Sequence, residues 1–194
     1  METGLRERKK ERTRQDLMRS ALRLFADRGF DQVTVEEIAA DCEVSPRTFF
    51  RYFSSKEDAL FAQSDRSLDR LIETLERQPA ELPPLEALRL AMQSLSEDYL
   101  EDKETVVLRH QIMSATPALR TRAAERQHGW EAAVIEQLRV GGQIDGMTDL
   151  DVRLVVAAAT TALRVAVTVW VGDTTDLDLA DLIDTTFDRL RRGL

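Results

Sequence analysis

Two helix-start signals near the N-terminus constrain the fold more than any other feature of the chain. The first is a capping box over residues 34–37, in which Thr34 accepts a hydrogen bond from the amide of Glu37 and the Glu37 carboxylate accepts one from the amide of Thr34. The second is Ser45-Pro46, an N-cap followed by proline at the first helical position. The helix that begins after Thr34 is expected to end near Asp41. Its short connection to the helix that begins after Ser45 predicts a helix-turn-helix.

The second short helix carries side chains suited to contact with DNA. Its N-terminal half exposes Arg47, Thr48 and Arg51, and this part of a recognition helix enters the major groove. Arginine can pair with guanine through two hydrogen bonds, and threonine can reach a base edge or a phosphate. A helical hairpin with a solvated basic face is the alternative, and the helix pair alone does not separate the two interpretations.

Scarce glycine and proline, together with periodic apolar residues, predict an all-α fold. The 194 residues include 8 Gly and 5 Pro, whereas residues that favour helices are abundant. Apolar spacing and capping signals predict about nine helices, and no alternating strand pattern occurs. After the first three helices, the expected helices cover approximately residues 56–78, 85–101, 105–114, 118–140, 150–171 and 178–192.

The helix expected at 150–171 is apolar almost all round, which raises the question of a membrane span. Its charge-free run, Leu154 to Leu163, has ten residues, whereas a spanning helix needs about twenty. Burial by protein on both sides, as in a dimer, accounts for it better. No apolar run follows the basic N-terminal residues, and Cys42 is the single cysteine. We therefore expect a cytoplasmic protein without membrane association.

The net charge of −8 is unevenly distributed along the chain. Residues 1–60 carry 12 basic and 12 acidic side chains, so residues 61–194, with 15 and 23, hold the whole excess. Six basic side chains and three acidic ones fall within residues 1–14. Because the local field matters more than the total when a protein meets phosphates, this distribution permits a DNA-binding N-terminal region.

The segments 21–30, 34–39 and 44–57 together resemble the signature of the TetR family of bacterial transcription factors, and the close resemblance covers about residues 8–60. It implies a three-helix DNA-binding domain with a basic N-terminal arm over residues 1–60, and a larger helical ligand-binding and dimerisation domain over 61–194. The basic arm would add attraction to DNA that does not depend on base sequence. The DNA-contacting residues implied are Thr34, Ser45, Pro46, Arg47, Thr48, Phe50, Arg51, Tyr52 and Lys56.

Within that set, the resemblance implies phosphate contacts by Thr34, Ser45, Tyr52 and Lys56, with the arginines and Thr48 nearest the bases. The chain departs from the family pattern at two positions. Glu43 stands where glycine is common, and a left-handed backbone there would cost about 1–2 kcal/mol. Phe50 stands where tyrosine is common, which removes one phosphate hydrogen bond. Cys42 is expected in the core beneath the hairpin, with a redox sensor as the alternative.

The C-terminal half more loosely resembles the branch of this family that includes the mycofactocin-system regulator. The resemblance rests on residues 116–119 ahead of a helix carrying Trp130, and on residues 162–170. That branch includes regulators that respond to long-chain acyl-CoA. The candidate ligand-binding residues are Met92, Leu95, Tyr99, Arg109, Met113, Trp130 and Trp170. Apolar and aromatic members of such a set more often form a simple core, and an arginine such as Arg109 more often lies on a solvated helix face than meets a polar head group.

The expected function is that of a homodimeric repressor released from a palindromic operator by a small apolar or amphipathic ligand, with long-chain acyl-CoA as one candidate. The last two helices of each subunit would form the dimer as a four-helix bundle. The alternatives are a regulator of efflux or catabolic genes that responds to a drug-like aromatic ligand, and a DNA-binding protein without an effector. His110 and His128 are far apart and no catalytic motif occurs, so no enzyme activity, metal or cofactor is expected.

Overall fold

The computed structural model describes residues 2–172 and 177–193, and over these residues the chain is helical, without strands. The all-α fold class is confirmed. The helices are α1 (Glu2–Arg28), α2 (Val35–Asp41), α3 (Pro46–Phe50), α4 (Lys56–Glu76), α5 (Pro84–Gln93), α6 (Leu95–Glu101), α7 (Lys103–Ala115), α8 (Pro117–Val140), α9 (Asp149–Val171) and α10 (Leu179–Arg192), with a 3-10 turn at Phe30–Gln32.

The described residues form ten α-helices where about nine were expected, because the helix expected over 85–101 is divided at Ser94. The hydroxyl of Ser94 donates to the carbonyl of Ala91 at 2.7 Å and lies 3.2 Å from the hydroxyl of Thr74 on α4. A serine side chain that bonds nearby backbone groups competes with the helical pattern. The expectation of one continuous helix was therefore wrong.

The basic N-terminal residues, expected as an arm, form the first turns of α1. Contacts one turn apart support this helix: the guanidinium of Arg8 donates to the carbonyl of Gly4 at 3.1 Å, and Gln15 donates to Glu11 at 3.3 Å. Further along, α1 buries an apolar face that includes Leu17 and Phe25. The basic stretch is therefore presented on a helix that continues into the core.

The chain forms two compact units. The N-terminal unit comprises Met1–Asp65 and Glu104–Pro117, and the C-terminal unit comprises Arg66–Lys103 and Ala118–Leu194. Helix α4 contributes residues to both, and nearly all of α7 belongs with the N-terminal helices. The functional boundary near residue 60 stays a prediction, since compactness does not establish which residues bind DNA or ligand.

Helices α5, α9 and α10 pack together as the core of the C-terminal unit. Phe187 of α10 and Ala159 of α9 are fully enclosed. An ion-pair cluster joins two of these helices, because Arg89 of α5 bonds Glu86 at 2.6 Å and Asp184 of α10 at 2.5 Å. Capping by Asp178 and a left-handed Gly193 define the ends of α10.

Helix α9 is the one described helix that is long and apolar enough to cross a membrane by length and composition alone, and part of it is buried inside the protein. One face packs in the core of the C-terminal unit. Leu150, Leu154 and Val165 are exposed on the protomer, at 73%, 64% and 40%. Burial on both faces was expected, and within one protomer the described helix is buried on one.

Candidate nucleic-acid interface

Both helix-start signals operate as the sequence predicts. The hydroxyl of Thr34 accepts from the amide of Glu37 at 3.3 Å, and the Glu37 carboxylate accepts from the amide of Thr34 at 2.9 Å. At α3, Ser45 accepts from the amide of Thr48 at 3.2 Å, and Pro46 occupies the first turn. The N-terminus of each short helix is therefore capped by hydrogen bonds from residues of its own first turn.

Glu37 forms an ion pair with Arg28 in addition to capping α2. The backbone hydrogen bond from Thr34, followed by a side-chain hydrogen bond from Arg28 at 2.7 Å, lowers the pKa of Glu37 from 4.5 to about 2. Because Arg28 ends α1, this pair also ties α1 to α2. A second tie comes from Asp41 at the end of α2, which accepts from Ser20 at 2.6 Å and from Arg23 at 2.5 Å. Sequence reasoning missed both of these contacts between α1 and α2, since the residues that form them lie on different helices.

The turn after α2 is a Schellman motif with glutamate in the position that glycine usually takes. Glu43 has φ of 54°, and it is the one non-glycine residue with positive φ among those described. Its amide donates to the carbonyl of Ala40 at 3.0 Å, while the amide of Val44 donates to that of Ala39 at 2.9 Å. The left-handed backbone that would make a non-glycine residue unfavourable at this position is therefore present.

The core of the hairpin consists of a few fully enclosed side chains. Ile38, Ala39 and Phe49 are fully enclosed, whereas Val44 and Tyr52 are half-buried. Cys42, expected in the core, is also half-buried, which corrects that expectation. Desolvation is the main cause of a raised pKa of the Cys42 thiol. A thiol that stays protonated is a poor redox sensor, so the alternative role for Cys42 is disfavoured.

The predicted base-reading residues lie on the outside of α3. Arg47 is exposed, and across residues 2–172 and 177–193 its side chain has no ion pair or hydrogen bond. Arg51 is also exposed, but its guanidinium donates to the hydroxyl of Tyr52 at 3.1 Å and lies 5.0 Å from the centre of that ring. Thr48 is half-buried. The side chain most available for a base edge is therefore Arg47.

The remaining predicted contacts surround the same helix. Thr34, Ser45 and Pro46 are exposed at the starts of α2 and α3. Phe50 is 54% exposed and packs edge-on against Phe49, with ring centres 5.7 Å apart. Phe50 thus offers DNA an apolar surface where a tyrosine would add a hydrogen bond. The DNA-contacting roles of these residues stay predictions.

Lys56, expected to contact a phosphate, is engaged within the protein. Its ammonium donates to the carbonyls of Phe30 at 2.8 Å and Val33 at 3.0 Å, and lies 4.4 Å from the centre of the Phe30 ring. An ammonium has three donors, so a phosphate contact would rely on the third or on rearrangement. The amide of Asp58 donates to Ser55 at 3.1 Å, so Ser55 is the cap of α4. Sequence reasoning missed this role of Lys56 in joining α4 to the segment before α2.

The candidate ligand-binding residues fall in both units. Met92 and Leu95 are fully enclosed, and Tyr99 and Trp170 are 6% and 5% exposed. Trp130, the fifth candidate in the C-terminal unit, is half-buried. In the N-terminal unit, Met113 is half-buried and Arg109 is 9% exposed. The alternative that placed Arg109 on a solvated helix face was wrong. Among the described residues, no group of three or more His, Cys, Asp or Glu is placed to hold a metal ion.

A capped helix that presents an unpaired arginine from its first turn is what a helix-turn-helix DNA-binding protein requires. Comparison with known proteins places the chain within that class. Residues 17–62 match the family model described as bacterial regulatory proteins, tetR family, and residues 82–194 match the MftR C-terminal domain. The chain belongs to the TetR family of bacterial transcription regulators, and the resemblance of its N-terminal segments to that family is confirmed.

Individual relatives agree with this assignment. The chain is 32% identical to the HTH-type transcriptional regulator TcmR of Streptomyces glaucescens, over 98% of this chain and 88% of TcmR. It is 28% identical to the putative mycofactocin biosynthesis transcriptional regulator MftR of Mycobacterium tuberculosis, over 90% and 87% of the two chains. Among solved structures, Thermus thermophilus FadR in complex with lauroyl-CoA is similar, with a TM-score of 0.62, 26% identity and coverage of 93% and 94%. These relatives are transcription regulators, and TetR regulators bind operator DNA as dimers.

Proposed function

We propose that this protein is a homodimeric repressor that leaves a palindromic operator when a small apolar or amphipathic effector binds. The observation that carries the proposal is the exposed Arg47, presented without an internal partner from the first turn of α3. A solvated arginine on a short helix held by caps can enter the major groove with little rearrangement.

The predicted DNA-contacting residues around α3 divide into two proposed roles. Arg47, with Thr48 and Arg51 beside it, reads base edges, and each good bidentate contact discriminates by about 1–3 kcal/mol. Thr34, Ser45 and Tyr52 contact phosphates, which position the protein without reading sequence. The basic first turns of α1 add attraction that weakens with salt.

The proposed dimer forms through α9 and α10. Helix α9 exposes Leu150, Leu154 and Val165 on the protomer, and a second copy would cover them. Two helices from each subunit make a four-helix bundle with twofold symmetry, which requires the same patch on both copies. Twofold symmetry in turn predicts an operator with two related half-sites.

The effector proposed first is a long-chain acyl-CoA. The match of residues 82–194 to the MftR C-terminal domain and the likeness to a FadR that holds lauroyl-CoA support this choice. Enclosed Met92, Leu95 and Trp170 supply apolar surface of the kind that ligand pockets use. Effector binding would act by population shift through α4, which contributes residues to both units. A ~100-fold loss of operator affinity needs about 2.7 kcal/mol of differential binding.

The test is fluorescence anisotropy of the purified protein on labelled DNA from upstream of its own gene, titrated with lauroyl-CoA below its micelle-forming concentration. Release of the DNA supports both the repressor and the effector class. A tight complex that ignores lauroyl-CoA keeps the DNA-binding role and directs the search to drug-like aromatic ligands or to an effector-free regulator. Failure to bind this DNA and any sequence from a genomic selection at low salt contradicts the proposal.

A further inference from the structure

We infer that Arg109 binds an anionic group of the effector, so that the effector is a carboxylic acid or a phosphate ester and not a neutral apolar molecule. This inference rests on the proposed function and narrows the chemistry of its ligand. It assigns Arg109 the role of recognising the charge of the effector.

The observation behind it is an enclosed cation without a counter-charge. Arg109 of α7 is 9% exposed, and its guanidinium makes one hydrogen bond, from Nη1 to the hydroxyl of Ser64 at 2.5 Å. Over the described ranges 2–172 and 177–193, no carboxylate lies within ion-pair distance of it and no other group accepts from it. A guanidinium has five N–H donors, and burying such a charge is unfavourable unless it is paired.

Arg89, another enclosed arginine of this chain, is paired with carboxylates and serves as a comparison. The side chain of Arg89 is 19% exposed and bonds two carboxylates, Glu86 and Asp184. Those contacts raise the pKa of Arg89 further above its usual range. Arg109 is more enclosed and has only a neutral hydroxyl. An anion supplied from outside the chain would complete its coordination as the carboxylates do for Arg89.

The N–H donors of Arg109 that make no hydrogen bond remain accessible to solvent. None of its nitrogens is among the described side-chain atoms that are both fully enclosed and without a hydrogen-bond partner. Since Nε and Nη2 have no partner among the described groups, they retain contact with solvent. Carboxylates and phosphates match this site, because a guanidinium binds both through paired, charge-assisted hydrogen bonds.

Ser64, the hydrogen-bond partner of Arg109, connects the proposed anion site with the DNA-binding helices. Ser64 lies on α4, whose first residue, Lys56, bonds the carbonyls of Phe30 and Val33 just before α2. These contacts all lie within the N-terminal unit. An anion bound by Nε and Nη2 pulls on the same guanidinium that holds Ser64 through Nη1, so its binding acts on α4.

The test compares Arg109→Met, which keeps an unbranched side chain without the charge, with Arg139→Met, which removes an exposed arginine from its pair with Glu136. Binding of laurate, lauroyl-CoA, coenzyme A and dodecan-1-ol is measured without DNA, by calorimetry and tryptophan fluorescence. We expect Arg109→Met to bind the relevant anion about 10- to 100-fold more weakly, with dodecan-1-ol and Arg139→Met unchanged. Loss confined to laurate identifies a carboxylate, and loss confined to lauroyl-CoA identifies the phosphates.

Thermal unfolding without ligand supplies a second readout. Removing an unpaired enclosed charge should leave Tm unchanged or raise it by about 2–4 °C. A lower Tm for both Arg109→Met and Arg109→Gln than for Arg139→Met would show a structural arginine and overturn the inference. Equal binding of every anion by the wild type and Arg109→Met would overturn it too, and so would the absence of any anion binding by the wild type.

The inference and the proposed function fail in distinguishable ways. Arg109→Met should bind operator DNA as the wild type does in the absence of ligand, because Arg109 is not among the proposed DNA contacts. Absence of operator binding by the wild type contradicts the repressor while leaving the anion measurement intact. An operator complex that lauroyl-CoA releases equally from the wild type and from Arg109→Met contradicts the anion role and leaves the repressor standing.

Discussion

The N-terminal helices and the C-terminal helices of this protein are held by different kinds of interaction. Around α2 and α3, caps at Thr34 and Ser45, the ion pair of Arg28 with Glu37 and the carbonyl contacts of Lys56 restrain short helices. In the C-terminal unit, α5, α9 and α10 instead share an extensive apolar core. The difference suits the proposed functions, since a recognition helix must present side chains in one geometry, whereas an apolar interior can adjust to a ligand.

The largest expected effect concerns the enclosed ring that supports the recognition helix. Phe49→Ala should lower the free energy of unfolding by about 3–5 kcal/mol, because it removes a fully buried aromatic side chain. Urea denaturation followed by circular dichroism measures this change. The matched control is the neighbouring Phe50→Ala, whose ring is 54% exposed and whose loss should be below about 1 kcal/mol. Equal losses would contradict the stabilising effect of enclosing the Phe49 ring.

The next effect separates base reading from general affinity. Arg47→Ala should weaken operator binding by about 1–3 kcal/mol and relax specificity at one base position of each half-site. Anisotropy titrations over a set of operators with single substitutions measure both quantities. Arg139→Ala, on α8, is the control and should bind all of these operators as the wild type does. A loss for Arg47→Ala that is uniform across the set would assign Arg47 to phosphate instead.

A smaller effect tests the strained turn between α2 and α3. Glu43→Gly should stabilise the protein by about 0.5–1 kcal/mol, because relief of left-handed strain exceeds the added entropy of the unfolded chain. Glu36→Gly, in the first turn of α2, should have the opposite sign, since glycine is unfavourable in a helix. Denaturant midpoints compare the two variants. A destabilised Glu43→Gly would show that the glutamate side chain contributes more than its backbone strain costs.

The smallest effect is a pH dependence of the capping box. The pKa of Glu37 is lowered to about 2 in the folded protein, from 4.5. Its contribution to stability is therefore fully present above about pH 4.5 and is lost as the pH falls toward 2. Thermal unfolding of the wild type and Glu37→Gln over this interval should show a steeper decline for the wild type. Parallel curves would contradict the lowered pKa.

Local chemistry made much of the N-terminal region predictable. The capping box and the Ser45-Pro46 start involve residues within three positions of each other, so they can be identified without knowledge of the fold. The helical character of the whole chain followed from composition and apolar period. The division at Ser94 was not predicted, because it depends on which of two competing hydrogen bonds a serine makes.

The side-chain partners across helices were decided by the tertiary structure. Sequence alone indicated two capped helices, an exposed Arg47 and a chain of helices, since these depend on neighbours within one or two turns. It did not indicate that Lys56 would bond carbonyls 23 and 26 residues away, or that Arg109 would be enclosed beside Ser64, 45 residues away. Such pairs form only when separate helices meet, and that packing is what encloses the guanidinium of Arg109.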